Sequence, residues 1–91
     1  MGIVAAFDKV LFFNAASRYC ILRLKTADIM IPEAARSPYT YRDHLIRFVA
    51  VGYDLPQTDA VSFEYNGQWV NNAHGCQLQV EHWNEIVPPT L

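Results

Sequence analysis

The stretch Gly67-Gln-Trp-Val-Asn-Asn-Ala-His-Gly-Cys-Gln-Leu-Gln-Val80 decides the fold of this chain. It predicts two strands joined by a turn at 71–75, whose Asn, His and Gly residues tolerate positive φ. An antiparallel pairing with Val70 opposite Gln77 gives one apolar and one polar face, as a half-buried hairpin requires. On the apolar face this pairing predicts Trp69 opposite Leu78, Gly67 opposite Val80 and Tyr65 opposite His82.

Residues 3–13 and 18–25 predict two further strands on the N-terminal side. An amphipathic helix is the rival interpretation of 3–13, but the β-branched and aromatic content favours a strand. We expect Phe7, Val10 and Phe12 in the core, and the broken alternation near Asp8 predicts a bulge or bend. In the second strand, one face is apolar (Cys20, Leu22, Leu24) and the other mixed (Tyr19, Ile21, Arg23, Lys25).

Three more segments complete the pattern. Residues 45–51 predict a third strand that ends at Gly52. In 61–65, apolar and polar residues alternate, which predicts a strand that continues into the hairpin. The last strand is expected to run to about Val87. Five short strands with no dominant helix in 91 residues predict one small all-β domain. A five-stranded Greek-key OB barrel and an SH3-like barrel both fit the pattern.

Residues 26–44 predict a long loop or insertion between the second and third strands. Pro32 and Pro38 leave room for at most one helical turn between them. The segment carries Tyr39, Tyr41 and Arg42, and a long loop in a small domain is usually functional or mobile. These three residues form either a loop that contacts DNA or a partner, or part of a flexible insertion, which the frequent disorder of long loops favours.

The charges are distributed unevenly along the chain. All seven Lys and Arg residues fall within 1–47 against four acids, a net charge of +3, whereas 48–91 carry five acids and no base, a net charge of −5. This permits one mildly basic face, but the overall charge of −2 argues against strong autonomous DNA binding. Two cysteines, no signal-peptide pattern and no membrane-length apolar run favour a cytoplasmic location.

Several segments together resemble the N-terminal OB-fold domain of RecD-like ATP-dependent DNA helicases, the exodeoxyribonuclease V alpha-subunit type. The resemblance lies in Tyr19-Cys-Ile-Leu-Arg-Leu24, in Phe48-Val-Ala-Val-Gly52 followed by Leu55-Pro56, in the hairpin Gly67–Val80, and in the terminal Val87-Pro88-Pro89-Thr90-Leu91. It covers nearly the whole chain except about 26–44.

The resemblance implies an OB-type barrel over 1–87, with 88–91 as the start of a linker to a downstream domain. It also implies a parent that unwinds DNA in the 5′ to 3′ direction. The chain contains no phosphate-loop motif, so ATP and Mg²⁺ are expected only in motor domains beyond Leu91. This chain alone is not expected to be an enzyme or to hold a cofactor.

Two function hypotheses follow. In the first, the domain weakly contacts or guides single-stranded DNA, using aromatic and basic side chains on the second strand and on the loop, namely Tyr19, Arg23, Lys25, Tyr39, Tyr41 and Arg42. In the second, it is a structural or docking module that packs on the helicase core or recruits a partner. The hairpin pairing places Trp83 on the polar face beside Gln79 and Glu81, where it is a candidate interdomain contact. The alternative is that the strand bends and buries it.

No catalytic or metal site is predicted from the sequence. The available His and Cys side chains, Cys20, His74, Cys76 and His82, do not converge when the hairpin is paired, so tetrahedral ligation is not expected. No nucleophile lies beside a base that could activate it.

Overall fold

The computed structural model describes residues 2–86, so the linker predicted at 88–91 lies outside them. The chain forms five strands, β1 (Ile3–Phe13), β2 (Tyr19–Thr26), β3 (Ile46–Tyr53), β4 (Ser62–Asn72) and β5 (Gly75–Ile86). They close into a barrel in the order β1-β2-β3-β5-β4, with β4 pairing back onto β1. All neighbours are antiparallel except β3 and β5, which are parallel. The OB-type barrel is confirmed.

Strand β1 pairs with both of its neighbours in the barrel, β4 and β2. Its first residues, 3–6, pair with β4, whereas 6–13 pair with β2. The register with β2 shifts between Phe7 and Lys9 and again between Val10 and Phe12. The bulge predicted near Asp8 is confirmed, and a second one lies at Leu11. Because each bulge adds one residue and bends the strand, β1 can curve around the barrel.

The second bulge turns the side chain of Phe12 to the outer face of the barrel. Phe7 and Val10 pack against the core as predicted, three residues apart because Asp8 is extra. Leu11 is extra in the same way, so Phe12 pairs with Ile21 on the outer face and is 48% exposed. The prediction that Phe12 is a core residue was therefore wrong, because it allowed for only one break in the alternation.

Strand β2 alternates as the sequence indicates. Its even positions Cys20, Leu22 and Leu24 are completely buried, and its odd positions from Tyr19 to Lys25 are partly exposed. Buried apolar residues from all five strands and two connections form the core. They are Ala5, Cys20, Leu22, Leu24, Ile31, Ala35, Phe48, Ala50, Leu55, Phe63, Tyr65 and Leu78.

The β4–β5 hairpin has the predicted register only near its turn. Trp69 pairs with Leu78 and Gly67 with Val80, as expected. A register shift between Asn66 and Gly67 leaves Glu81 as an extra residue on β5, so Tyr65 pairs with Trp83 and not with His82. Since one extra residue exchanges the two faces of a strand, the pairing predicted beyond this point was wrong.

The same shift relocates Trp83. Its ring packs edge-on against Phe63, with ring centroids 5.6 Å apart, and it contacts the core cluster. The placement of Trp83 on the polar face beside Gln79 was therefore wrong, and the alternative, in which the strand bends and turns the ring inward, agrees with the structure. Its proposed role as an interdomain contact stays a prediction.

The connection between β2 and β3, residues 27–45, is irregular but well anchored. It contains one turn of 3-10 helix, Glu33–Ala35. Ile31 and Ala35 insert into the core. The Arg36 guanidinium donates hydrogen bonds to the carbonyls of Ile31 and Ile29, at 2.9 and 2.7 Å. The loop predicted at about 26–44 is thus packed against the barrel through Ile31 and Ala35.

No helix within residues 2–86 is long and apolar enough to cross a membrane.

Gly67 is required by the close approach of β5. A Cβ atom at this position would lie 2.0 Å from the Gln79 carbonyl oxygen and 2.9 Å from the Val80 Cα. These are backbone atoms, which cannot move aside without changing the bulge. The space beside Gly67 is therefore filled by the backbone of the partner strand.

We predict that Gly67→Ala lowers the free energy of unfolding by about 1–3 kcal/mol, because the added methyl group would clash with the backbone of β5. Urea unfolding followed by circular dichroism measures the change. The control is Gln68→Ala, one residue along on an exposed position, for which we expect a change within about 0.5 kcal/mol. Equal stabilities of the two variants would contradict the steric argument.

Tyr65 carries the one buried side-chain polar atom without a hydrogen-bond partner within residues 2–86, its hydroxyl oxygen. Burial raises the pKa of Tyr65 to about 12. We predict that Tyr65→Phe leaves the free energy of unfolding unchanged or raises it by up to about 1 kcal/mol, because an unpaired buried hydroxyl is costly. Tyr65→Ala, which also removes the ring, should cost about 3–5 kcal/mol. A clear loss of stability in Tyr65→Phe would show that the hydroxyl has a partner.

Candidate nucleic-acid interface

The outer face of β1, β2 and β3 carries three of the six residues predicted to contact DNA, namely Tyr19, Arg23 and Lys25 on β2. On β2, Lys25 lies between Ala6 of β1 and Arg47 of β3. Two residues earlier, Arg23 lies between Lys9 and Val49. The alternation of β2 points these side chains away from the core, because Cys20, Leu22 and Leu24 point inward.

A cluster of four charged side chains lies at the centre of this face. The bulge in β1 lets the Asp8 carboxylate accept hydrogen bonds from Nε of Arg23 at 2.6 Å and from Nε of Arg47 at 3.3 Å. Arg47 also donates from Nη1 to Asp43 at 2.6 Å. Arg47 is only 8% exposed, whereas the Arg23 side chain is 31% exposed. Arg23 is thus a paired cation and not a free one.

The Tyr41 ring covers this cluster. The guanidinium carbon of Arg47 lies 4.1 Å from the centre of the ring, and that of Arg23 lies 5.7 Å from it. Both distances fall within the range of cation–π attraction. Tyr41 and the ion pair of Arg47 with Asp43 therefore hold the second half of the β2–β3 connection against the outer face of the barrel.

The ion pairs shift the pKa values of both carboxylates. Partial burial alone would raise the pKa of Asp8, but the hydrogen bonds from Arg23 and Arg47 outweigh it and hold the pKa below its usual value. The hydrogen bond from Arg47 lowers the pKa of Asp43 to about 2. The same bond raises the pKa of Arg47. Asp8, Asp43 and Arg47 are therefore charged at neutral pH.

Aromatic side chains occupy the other end of the face. The rings of Tyr19 and Tyr53 meet edge-to-face with centroids 5.3 Å apart, since the two residues are paired across β2 and β3. Beside them, Arg18 forms an exposed ion pair with Asp54 at 2.6 Å and lies 5.6 Å from the ring centre of Phe13. Tyr19 therefore lies on the predicted face, in contact with a second tyrosine.

The structure brings some of the predicted residues together and separates others. Arg23 and Tyr41 meet in the central cluster, although they are far apart in the sequence. Tyr39 is 76% exposed on the same connection, and Arg42 is exposed beside the cluster. Trp83 belongs to another part of the barrel, against Phe63.

Sequence reasoning missed Arg47 and Asp8, the two residues that join the cluster. A signal for Arg47 existed, because Phe48 and Ala50 alternate with it and an antiparallel pairing with β2 places it opposite Lys25. The role of Asp8 had a weaker signal. A bulge can be predicted from the broken alternation, but the partner of the extra residue depends on how the strand bends.

Within residues 2–86 no three His, Cys, Asp or Glu side chains are close enough together to hold a metal ion. No curated protein and no solved structure matches the chain. A family model does match, over residues 2–88, and it describes the OB-fold domain of the ATP-dependent DNA helicase YrrC. The chain belongs to this family of OB-fold domains. The resemblance to a RecD-like helicase domain is thereby confirmed.

Family membership gives the outer face a context. OB-fold barrels bind oligonucleotides and oligosaccharides through the face of their second and third strands and the adjoining loops. In this YrrC-type OB domain, that face carries Tyr19, Arg23 and Lys25 on β2 and Arg47 and Tyr53 on β3.

We predict that the stability of the domain falls as the pH drops from about 4 towards 2. Asp43 has a folded-state pKa of about 2, below the usual 3.8, so its contribution to stability is present above about pH 4 and is lost as the carboxylate is protonated. Asp43→Asn should lose part of this pH dependence. The measurement is the urea midpoint of unfolding at successive pH values.

Asp54→Asn is the matched control for this titration. It removes a carboxylate from an exposed ion pair, whose contribution is at most about 1 kcal/mol. Its profile between about pH 4 and 2 should therefore follow the wild type more closely than that of Asp43→Asn does. Identical profiles for the Asp43→Asn variant and the wild type would contradict the role of Asp43.

Proposed function

We propose that this domain weakly contacts single-stranded DNA on the outer face of β1, β2 and β3 and guides it for the motor of a RecD-like helicase. One observation supports the proposal above all: aromatic and cationic side chains follow one another along β2, from Tyr19 through Arg23 to Lys25. Proteins that bind single strands combine stacking rings with a basic track in this way. From Tyr19 to Lys25 the face spans about 20 Å, since a strand rises about 3.3 Å per residue.

The electrostatics favour weak binding. Lys9, Arg23, Lys25 and Arg47 lie on this face or at its centre, but Asp8 neutralises part of their charge. With Asp43 included, four cations oppose two carboxylates, a net charge of +2. Since each neutralised phosphate releases counterions, so small a charge gives low affinity and a shallow dependence on salt. A guiding role, with the motor supplying the main grip on DNA, fits this balance.

The activity of the parent is part of the same proposal. The sequence contains no phosphate-loop motif, so ATP and Mg²⁺ bind in motor domains elsewhere in the helicase and not in this barrel. The barrel itself is then non-catalytic, and its partners are single-stranded DNA and the downstream helicase domains. A DNA helicase of this kind acts in the cytoplasm.

We predict that Lys25→Gln weakens binding of a fluorescently labelled oligo(dT) and makes the binding less sensitive to salt. Lys25 lies on the outer face of β2 without an ion-pair partner within residues 2–86. Losing one phosphate contact should reduce the slope of log K against log salt by about 0.7. Fluorescence anisotropy at salt concentrations between about 50 and 200 mM measures both quantities.

Gln68→Glu is the matched control. It lowers the net charge by one, as Lys25→Gln does, but lies on β4, which is not adjacent to β2 in the barrel. It should keep the wild-type salt slope. Equal slopes for wild type and Lys25→Gln would contradict the proposed contact, and no binding by the wild-type domain at near-millimolar concentration would contradict the proposal as a whole.

A second candidate function is docking onto the helicase core or onto a partner protein. The observation that favours it is a group of exposed apolar side chains where β1 and β3 end, Leu11, Phe12, Phe13 and Tyr53. Such patches commonly mark protein contacts. Docking predicts that the isolated domain ignores DNA and that Lys25→Gln changes nothing, so the titration above separates the two functions.

A further inference from the structure

A groove runs between the β2–β3 connection and the turn that joins β4 to β5. The connection contributes Ala34 to Ser37, with Tyr39 and Tyr41, and the turn contributes 74–76. Phe48 and Val49 of β3 also line it. Its volume is about 320 Å³, at the lower end of the range typical of small-molecule sites. A space of this size suits one nucleotide unit better than a longer segment.

The charged side chains that line the groove all have the same sign. Arg23, Arg36 and Arg47 line it, and no Asp or Glu from residues 2–86 does. The carboxylates of Asp8 and Asp43, which neutralise two of these arginines, are not part of its lining. The groove is therefore complementary to an anion, although the chain as a whole is acidic.

Two of the arginines are held in place and still have donors to offer. Arg36 donates from Nε and Nη2 to the carbonyls of Ile31 and Ile29, which fixes its guanidinium at the wall of the groove. Arg23 bonds to Asp8 through Nε alone, and its terminal nitrogens make no hydrogen bond to residues 2–86. Fixed guanidinium groups with spare N–H donors suit the oxygens of a phosphate.

The rim of the groove supplies an aromatic surface. Tyr41 already packs on Arg47, but Tyr39 is 76% exposed and none of the aromatic or cation–π pairs within residues 2–86 involves its ring. An exposed tyrosine ring stacks on a nucleobase regardless of the base's identity. The groove thus combines a stacking platform with phosphate donors.

We propose that this groove binds one unstacked nucleotide, with the base on Tyr39 and the phosphate between Arg23 and Arg36. The inference rests on the proposed function where the nucleotide belongs to a DNA strand, and it names a site at the edge of the β2–β3 face. A free mononucleotide has the same chemistry and would occupy the groove in the same way.

Photo-crosslinking of the 91-residue chain to an oligo(dT) that carries one 5-iododeoxyuridine tests the site directly. We expect mass spectrometry to find the adduct on Tyr39 or His74. Adducts confined to Tyr19 and Tyr53 would overturn the groove but leave the proposed function standing. If the oligonucleotide neither binds nor crosslinks, both proposals fail.

Substitutions at Tyr39 give a second, independent readout. Tyr39→Ala should weaken oligo(dT) binding by about 5-fold or more, as expected when one stacked base is lost, and Tyr39→Phe should keep the wild-type affinity. Met30→Ala is the matched control, because Met30 lies on the same connection and is also 76% exposed. Equal affinities of Tyr39→Ala and Met30→Ala would overturn the proposal.

Competition with unlabelled dTMP identifies the source of the nucleotide. If dTMP displaces the labelled oligonucleotide and prevents the Tyr39 adduct, the groove recognises the nucleotide unit itself. If only oligo(dT) does so, the groove takes its nucleotide from a strand held also by the β2–β3 face. If neither unlabelled dTMP nor unlabelled oligo(dT) reduces the Tyr39 adduct, the proposed site is wrong.

Discussion

The structure depends on how β1 closes the barrel. One strand of eleven residues pairs with β4 at its start and with β2 along the rest, so it has to bend sharply while its core side chains keep pointing inward. The bulges at Asp8 and Leu11 meet both demands. They also determine the surface: the first aims Asp8 at Arg23 and Arg47, and the second turns Phe12 outward.

A third bulge has the corresponding effect on the other side of the barrel. The extra residue Glu81 exchanges the faces of β5, so Trp83 joins the core beside Phe63 while Trp69 reaches the core from nearer the turn. Glycine is required at position 67 because a Cβ atom there would clash with the backbone of β5. Trp69 on β4 and Trp83 on β5 can share one core only because the register shifts between them.

The charge cluster limits what this face can do. Two carboxylates and the Tyr41 ring satisfy Arg47 almost completely, which makes it a structural group that anchors the β2–β3 connection. Arg23 takes part in the cluster through its Nε atom, whereas its terminal nitrogens remain available for an outside partner. The number of basic residues in the sequence therefore overstates the charge available to a phosphate backbone. The remaining positive charge lies on Lys9, on Lys25 and in the groove beside Tyr39.

The sequence by itself determined the five strands, the inward face of β2, the inward face of the hairpin near its turn, and the bulge at Asp8, because period-two alternation is a local signal. It also determined the helicase family, because the short motifs that identify the family are local as well. Only the tertiary structure decided the places of Phe12 and Trp83, since a bulge whose extra residue is not marked by Gly or by a broken pattern exchanges the faces without a local sign. It also decided that Arg23, Tyr41 and Arg47 meet, because their contact depends on how the long connection folds back over the barrel.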